Sequence, residues 1–306
     1  VTDVSEIAWT DTIWNPLAGC TRKSAACRQC YAESATAESA RDGGWGQGFA
    51  EIGEAGAAWT GTVALREDRL TLPLGLEHPS RIFVNSLSDL FHESLDVATI
   101  DTVFAVMASA PHHVFQVLTK RPKTMQPYLA DAATPARIAL KMAELGHAGT
   151  IEAWPLPNVW LGVTAENQKE ADRRIPLLLA TPAAVRWVAA EPLLEALDLK
   201  PGTWLKASAA DRDSTKPKLD WIVAGGEISA AAQPCHPDWA RGLRDQCVRA
   251  DTPFFWTQWG EHIPATGVEE RAVAEPARMT WERIGAGAPS RRLDGRMHEA
   301  FPAASQ

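Results

Sequence analysis

The chain has 306 residues, 45% of them hydrophobic and 22% charged, with thirteen tryptophans and no low-complexity block, which excludes a disordered or fibrous protein. A formal charge of −8 works against broad attraction to a nucleic-acid backbone, which needs a Lys and Arg surplus on one face. No apolar run approaches the roughly eighteen residues that span a bilayer, so no membrane role is expected.

Near the N-terminus, Asp3 and Glu6 stand where a signal peptide would carry a basic region. Five cysteines, three clustered and two scattered at Cys235 and Cys247, make a poor disulfide framework. A cytoplasmic, reducing setting is expected. Apolar, β-branched and aromatic runs then recur at 7–14 (IAWTDTIW), 59–65 (WTGTVAL), 81–85 (RIFVN), 114–119 (VFQVLT), 159–164 (VWLGVT), 185–190 (VRWVAA), 221–225 (WIVAG) and 253–257 (PFFWT). Each predicts a strand. Helical spacing covers 96–110, 167–180 and 236–250, the last with Pro237 at a first-turn position where its missing N–H is harmless.

Strands alternating with helices predict an α/β fold: a complete or partial (β/α) TIM-like barrel of six to eight parallel strands over 1–261, with a doubly wound open sheet as the alternative. Insertions are expected at about 41–58, which holds the glycine-rich stretch 43–56, and at 198–219, read as exposed. Residues 262–306 read as a peripheral tail packed on or near the barrel.

In parallel barrels the reactive groups lie at the C-terminal ends of the strands. Here those ends read NSLSDLFHE (85–93), LTKRP (118–122), GVTAENQ (162–168), AAEPLL (189–194), AGGE (224–227) and TQWGE (257–261). Singly, each has a bland explanation: Asp89 caps a helix, Pro192 fixes Glu191, Lys120 is solvated. Together they place six polar clusters on one face. Lys120 and Arg121 are candidates for binding a carboxylate or phosphate, and Glu166, Glu191 and Glu261 for substrate contact or proton transfer.

Cys20, Cys27 and Cys30 lie in GCTRKSAACRQCYAES (19–34), just past the first strand. Thiolates bind soft or borderline metals, and a C-x2-C pair lets two sulfurs reach one centre. A closed zinc site needs four ligands, with His92 or Cys235 as the fourth, whereas a 4Fe-4S cluster held by three cysteines leaves one iron open. Three local cysteines suit the cluster. Plain core filling fits poorly beside Arg22, Lys23, Arg28 and Gln29.

This arrangement resembles the radical S-adenosylmethionine enzymes, with C-x6-C-x2-C in place of C-x3-C-x2-C and Tyr31 after the third cysteine instead of an aromatic before it. A closer resemblance runs through WTDTIWNPLAGCT, CRQCYAE, IFVNSLSDLFHE, VFQVLTKRP, NVWLGVTAENQ, DWIVAGGE and PFFWTQWGE. These are similar to an uncharacterised phage and bacterial family with a three-cysteine motif, grouped with radical-SAM-like proteins. The resemblance implies a 4Fe-4S cluster on Cys20, Cys27 and Cys30, reductive cleavage of S-adenosyl-L-methionine to a 5′-deoxyadenosyl radical, and cofactor contacts from Gly225, Gly226 and Glu227 beside Ser86, Ser88 and Asp89. The implied substrate is a nucleobase, nucleotide or DNA in a phage setting; net charge favours a small molecule. A three-Cys-motif partner protein is also implied. ISAAAQP after GGE, and Thr257 where relatives carry Lys, depart from the pattern.

Two other readings stay open. One is a non-catalytic zinc or Fe-S module that ties the first loop to the barrel. The other is a zinc hydrolase using His92, Asp89 and the glutamates, disfavoured because the eight histidines include no H-x-H or HExxH pair, only His112/His113 at a strand start.

Overall fold

Seven of the eight apolar runs fold into strands of one sheet. A computed structural model describes residues 3–5, 7–41, 43–54, 56–147, 149–208, 216–229, 231–265, 281–284 and 291–303. The sheet consists of β1 (Asp3–Val4), β2 (Thr12–Trp14), β3 (Arg81–Val84), β4 (Val114–Thr119), β5 (Val159–Thr164), β6 (Val185–Ala190), β7 (Trp221–Ala224) and β8 (Phe254–Trp256), paired in that order. Only β1–β2 is antiparallel; β2 through β8 form a seven-stranded parallel half-barrel.

Helices α1 (Tyr31–Arg41), α2 (Val97–Ser109), α3 (Pro122–Ala130), α4 (Thr134–Glu144), α5 (Gln168–Leu179) and α6 (Pro237–Ala250) connect or flank these strands. Their starts are written locally. Asp96 accepts the Thr99 N–H at 2.7 Å, Asn167 the Glu170 N–H at 2.9 Å, and His236 Nδ1 the Asp238 N–H at 3.2 Å, each satisfying a first-turn donor. Asp96, not Asp89, is therefore the cap of α2. No helix among the described residues is long and apolar enough to cross a membrane.

Alternation along the strands gives two cores. Trp14, Ile82, Val84, Phe115, Val117, Leu161, Val188 and Ile222 face the helices. The concave side carries Phe83, Trp160, Trp187, Trp221 and Phe255, and Trp9 closes on them with ring centroids 4.7 Å from Phe83 and 5.2 Å from Trp187. Phe301 sits 5.2 Å from Trp221 under the Arg81 guanidinium. Such edge-to-face and tilted pairs add about 1 kcal/mol each beyond the area they bury. The concave side of the half-barrel is thus a filled aromatic core, and the polar clusters lie at the strand C-termini.

The expected second strand is not in this sheet. Gly56–Trp59 pairs with Ala50–Gly53, and Ala64–Leu65 pairs with Leu17–Ala18. Gly61, at φ +89°, turns the chain between them, so the β-rich composition of 59–65 serves two short ladders. The glycine-rich stretch 43–56 accordingly holds one strand of a hairpin. The insertion at 198–219 is exposed at Asp198, 201–203, 207–208 and 216–217 and is pinned to the core by the buried Leu199, Trp204, Leu205 and Leu219, with Lys200 4.3 Å over the Trp204 ring. Residues 209–215 of it lie outside the described residues. Of the tail, His262–Pro264 pairs with Trp281–Arg283, and the 298–300 stretch runs antiparallel along β8 through Trp256 N to His298 O at 2.8 Å and Ala300 N to Phe254 O at 3.2 Å.

His113, wholly buried where β4 begins, accepts the Ser80 N–H on Nδ1 at 3.2 Å and has Nε2 3.2 Å from the Pro73 carbonyl, which fixes the neutral ring. Burial, then the neighbouring His112, holds its pKa below the usual value. The unfolded chain therefore takes up the proton first, and the stability that the neutral ring contributes is present above about pH 6.5 and lost as pH falls. Thermal unfolding is expected to show a falling midpoint from pH 7 to 5. His113→Gln should lower the midpoint at pH 7 and shrink that fall; an unchanged fall would assign it to other groups.

Candidate functional site

Beyond β2, Asn15 reaches across to the end of β3, with Nδ2 3.1 Å from Ser86 Oγ and Oδ1 accepting the Leu87 N–H at 3.1 Å. Ser88 Oγ donates to the Leu17 carbonyl at 3.3 Å, and Gly19 bridges to Ser88. Ser86 and Ser88, expected at a cofactor, are thus engaged in steering the chain from β2 onto the C-terminal rim. The next residues form the cysteine loop, so the three cysteines do reach the mouth of the half-barrel.

All three thiols are free, Cys20 and Cys30 partly exposed and Cys27 buried in the short turn Ala25–Cys27. The Lys23 N–H points at Cys27 Sγ at 3.4 Å, and Arg121 Nη1 lies 3.7 Å from Cys20 Sγ. Burial, then the Asp89 charge, pushes the Cys20 thiol up to about 11 against the pull of Arg121. Among the described residues no three His, Cys, Asp or Glu side chains stand as a ready-made metal-ligand set. Loading a metal therefore requires the sulfurs to turn toward one another.

Salt links fasten this loop from several sides. Glu33 on α1, 3% exposed, takes Arg22 at 2.8 Å and the Trp59 N–H at 2.9 Å, joining the loop to the hairpin at 50–59. Glu166, fully buried beyond β5, accepts the Ala26 N–H at 3.4 Å and pairs with Arg174 of α5 at 3.0 Å. Burial would raise its pKa, but Arg174, then Ser24 and Lys120, hold it below the usual range. Glu166 is an ionised anchor of the loop, spent on it and not open to a substrate. Arg121 is likewise buried among Asp89, Glu93 and Thr21. Lys23 and Arg121 together hold Glu93 at about 2 against its partial desolvation.

On the opposite rim, β7 and β8 continue pairing past their ends. Gly226 N donates to Gln258 O at 2.8 Å and Glu261 N to Glu227 O at 3.0 Å. A Cβ on Gly225 would stand 2.8 Å from Glu191 Oε1, and one on Gly226 would overlap the Trp259 carbonyl. The GGE glycines are required by this packing, and Glu227, 8% exposed, accepts the Gln233 N–H at 2.9 Å within its own loop. Their expected part in holding a cofactor is not needed to account for them. Glu261 is buried, with Arg283 at 3.6 Å.

Residues 4–302 match the model of a family described as "Protein of unknown function (DUF5131)". The chain belongs to the DUF5131 family. No curated protein and no solved structure matches it.

In this DUF5131 chain two of the expected groups are left facing the mouth. Lys120 is partly exposed, and its ammonium makes no side-chain hydrogen bond or salt bridge among the described residues, though its charge bears on Glu166. Glu191 is partly exposed at the end of β6, and Thr257 Oγ1 donates to its Oε1 at 2.8 Å. Surrounding protein desolvates the carboxyl and raises its pKa, against hydrogen bonds from Thr257 and Gln258. Tyr31, first residue of α1 and exposed, donates its hydroxyl to the Ser86 carbonyl at 2.8 Å, linking the cysteine loop to the end of β3. Asn15, Glu33, Glu93 and Arg174 escape sequence reading; Arg174 lies one turn of α5 from Glu170, a spacing that hints at pairing, and pairs with it at 2.8 Å.

Because the folded pKa of Glu191 lies above its unfolded value, the unfolded chain loses the proton first. Its ionisation therefore removes stability as pH rises from about 4 through the folded pKa. Glu191→Gln keeps an oxygen for Thr257 and removes that penalty. Thermal scans are expected to give a higher midpoint for the variant at pH 8 and little difference at pH 4. A lower midpoint at pH 8 would mean that the ionised carboxylate stabilises the mouth.

Proposed function

We propose that this protein is a radical S-adenosylmethionine-type enzyme whose 4Fe-4S cluster is held by Cys20, Cys27 and Cys30, acting on a small anionic or nucleotide substrate in the half-barrel mouth. The observation that carries the reading is the location of the three thiols: one loop, leaving the first parallel strand, at the C-terminal rim of a parallel half-barrel. The donor set fits such a group. Three sulfurs are supplied within eleven residues, a backbone N–H is aimed at Cys27 and a guanidinium N–H at Cys20, and both kinds of donor stabilise negative sulfur. When bound, such a cluster supplies the electron that cleaves S-adenosylmethionine reductively.

The chain's own residues then divide the remaining work. Lys120, whose ammonium makes no salt bridge among the described residues, offers its charge to a carboxylate or phosphate. Glu191, biased toward its neutral form and braced by Thr257, gives or takes a proton at Oε1 or Oε2. Tyr31 narrows the mouth from the cysteine side, and the tryptophan layer below closes its floor to water.

Anaerobic reconstitution with iron and sulfide, followed by electron paramagnetic resonance of the dithionite-reduced protein with and without S-adenosylmethionine, tests the reading. A signal that changes on adding the cofactor, with 5′-deoxyadenosine formed, is expected. Stoichiometric zinc, or a cluster indifferent to the cofactor, would overturn it.

A further inference from the structure

Arg121 stands two residues beyond β4, and its side chain is 1% exposed. A guanidinium carries five N–H donors in a rigid fork. Here Nε donates to Glu93 Oε2 at 2.7 Å, Nη1 to Asp89 Oδ2 at 2.9 Å and to Cys20 Sγ at 3.7 Å, and Nη2 to the Thr21 carbonyl at 2.9 Å and Thr21 Oγ1 at 2.8 Å. Every donor is used, and three of the five acceptors belong to Cys20 and Thr21. Thr21 Oγ1 is also 2.9 Å from His92 Nε2, and His92 Nδ1 in turn accepts the Ser94 N–H at 3.2 Å.

The partner carboxylate is equally committed. Asp89 Oδ1 accepts from Thr119 Oγ1 at 2.6 Å and Phe91 N at 3.0 Å, and Oδ2 accepts from Lys120 N at 3.1 Å besides Arg121. A buried ion pair is tolerated when its remaining hydrogen-bonding positions are satisfied in this way, and removing one partner is costly. The ends of β3 and β4 thus form a rigid socket whose free side is filled by the start of the cysteine loop.

We infer that Arg121 is the positioning residue of the cysteine loop, fixing Cys20 against the ends of β3 and β4 and presenting an N–H and a positive charge to its sulfur. Lysine cannot reproduce this, because a point charge with three rotatable donors lacks the planar fork. The loop-fixing half follows from geometry alone. The effect on a bound cluster rests on the assignment of the three cysteines as its ligands: a fixed cation beside a ligand sulfur favours the reduced, more negative state.

Full-length Arg121→Gln and Arg121→Lys test both halves. In the metal-free protein, hydrogen exchange read by mass spectrometry over residues 19–30 is expected to be roughly tenfold faster in Arg121→Gln and intermediate in Arg121→Lys, with β5 and β6 at wild-type rates. Wild-type protection of the loop in a folded variant would overturn the inference. Should Arg121→Gln fail to fold because Asp89 is stranded, the Asp89→Asn/Arg121→Gln double variant leaves no buried charge alone. The same selective loss of loop protection is expected there, and wild-type protection again counts against the role. In the reconstituted protein, Arg121→Gln should release iron to a chelator faster and show a more negative midpoint potential, while Arg121→Lys keeps most of the potential; unchanged rate and potential would overturn the tuning half. If the wild-type chain takes up no cluster, the ligand assignment fails, and the exchange measurement still decides what Arg121 does.

Discussion

Gly226→Ala is expected to destabilise the whole half-barrel, beyond any loss of binding at its mouth. The added Cβ would overlap the Trp259 carbonyl, and Gly260 N would stand 3.0 Å away. Both are backbone atoms, so no side-chain rotation relieves the contact. The segment they belong to is fixed by Gly226 N to Gln258 O at 2.8 Å, Glu261 N to Glu227 O at 3.0 Å and Trp259 Nε1 to the Arg292 carbonyl at 2.9 Å. Separating the two strand ends exposes Trp256 and Trp259, which are buried with ring centroids 4.9 Å apart. Overpacking against a rigid wall costs about 3 kcal/mol or more, equivalent to a fall in Tm on the order of 6–12 °C. Differential scanning calorimetry would read it, with Gly242→Ala as control. Gly242 lies inside α6 with nothing within 4 Å of its added Cβ, so that change should stabilise by about 0.5–1 kcal/mol. If Gly226→Ala instead keeps the wild-type Tm and only weakens S-adenosylmethionine binding, the glycine belongs to the cofactor and not to the packing.

The same glycines show where sequence reading reaches its limit. GGE reads as a cofactor motif because glycine signals close approach of something to the backbone, and the something here is the neighbouring loop at 257–260, which only the register of β7 and β8 brings into place. The strands themselves are legible: β4, β5 and β6 coincide with their runs because a parallel strand covered on both faces is written as an unbroken apolar stretch. The run at 59–65 has the same composition, yet its residues are only half-buried and pair in two short ladders. Composition reports burial and β-propensity but not which partner is met.

At the mouth, the clustering of polar residues at six strand ends was visible in the sequence, and the division of labour among them was not. Lys120 and Arg121 are adjacent and both basic, but burial separates them: the Arg121 side chain is spent entirely on Asp89, Glu93, Cys20 and Thr21, and the Lys120 ammonium makes no hydrogen bond or salt bridge among the described residues and acts on Glu166 only through its charge. Glu166 and Glu191 both follow inner-facing strand ends, yet Arg174 keeps the first ionised while desolvation biases the second toward neutrality. Two carboxyls whose environments drive their pKa values apart are suited to different tasks, one to anchor and one to exchange a proton. That contrast depends on partners distant in sequence, which no local motif encodes.

Cys27→Ala is expected to abolish iron binding while leaving the fold standing. Cys27 is buried, and its sulfur accepts one N–H, from Lys23 at 3.4 Å; its removal leaves a small void and one unpaired donor close to solvent, a cost of about 1 kcal/mol. The loop around it keeps Arg22–Glu33, Glu166–Arg174 and Arg121–Asp89. Iron and sulfide per chain after anaerobic reconstitution should therefore fall to background, with a Tm close to that of the metal-free wild type. Cys247→Ala gives the contrast: that thiol is wholly buried in α6, and burial alone pushes it up to about 12. Its loss should lower Tm to a similar or greater degree and leave iron content untouched. Full iron content in Cys27→Ala would remove the three cysteines from consideration as ligands. A wild-type chain that unfolds when its metal is stripped would instead make the metal a staple, because structural sites contribute their binding energy to folding. The salt-linked loop predicts otherwise: its anchors are protein groups, and they hold its backbone in place before any metal arrives, leaving only the sulfurs to turn.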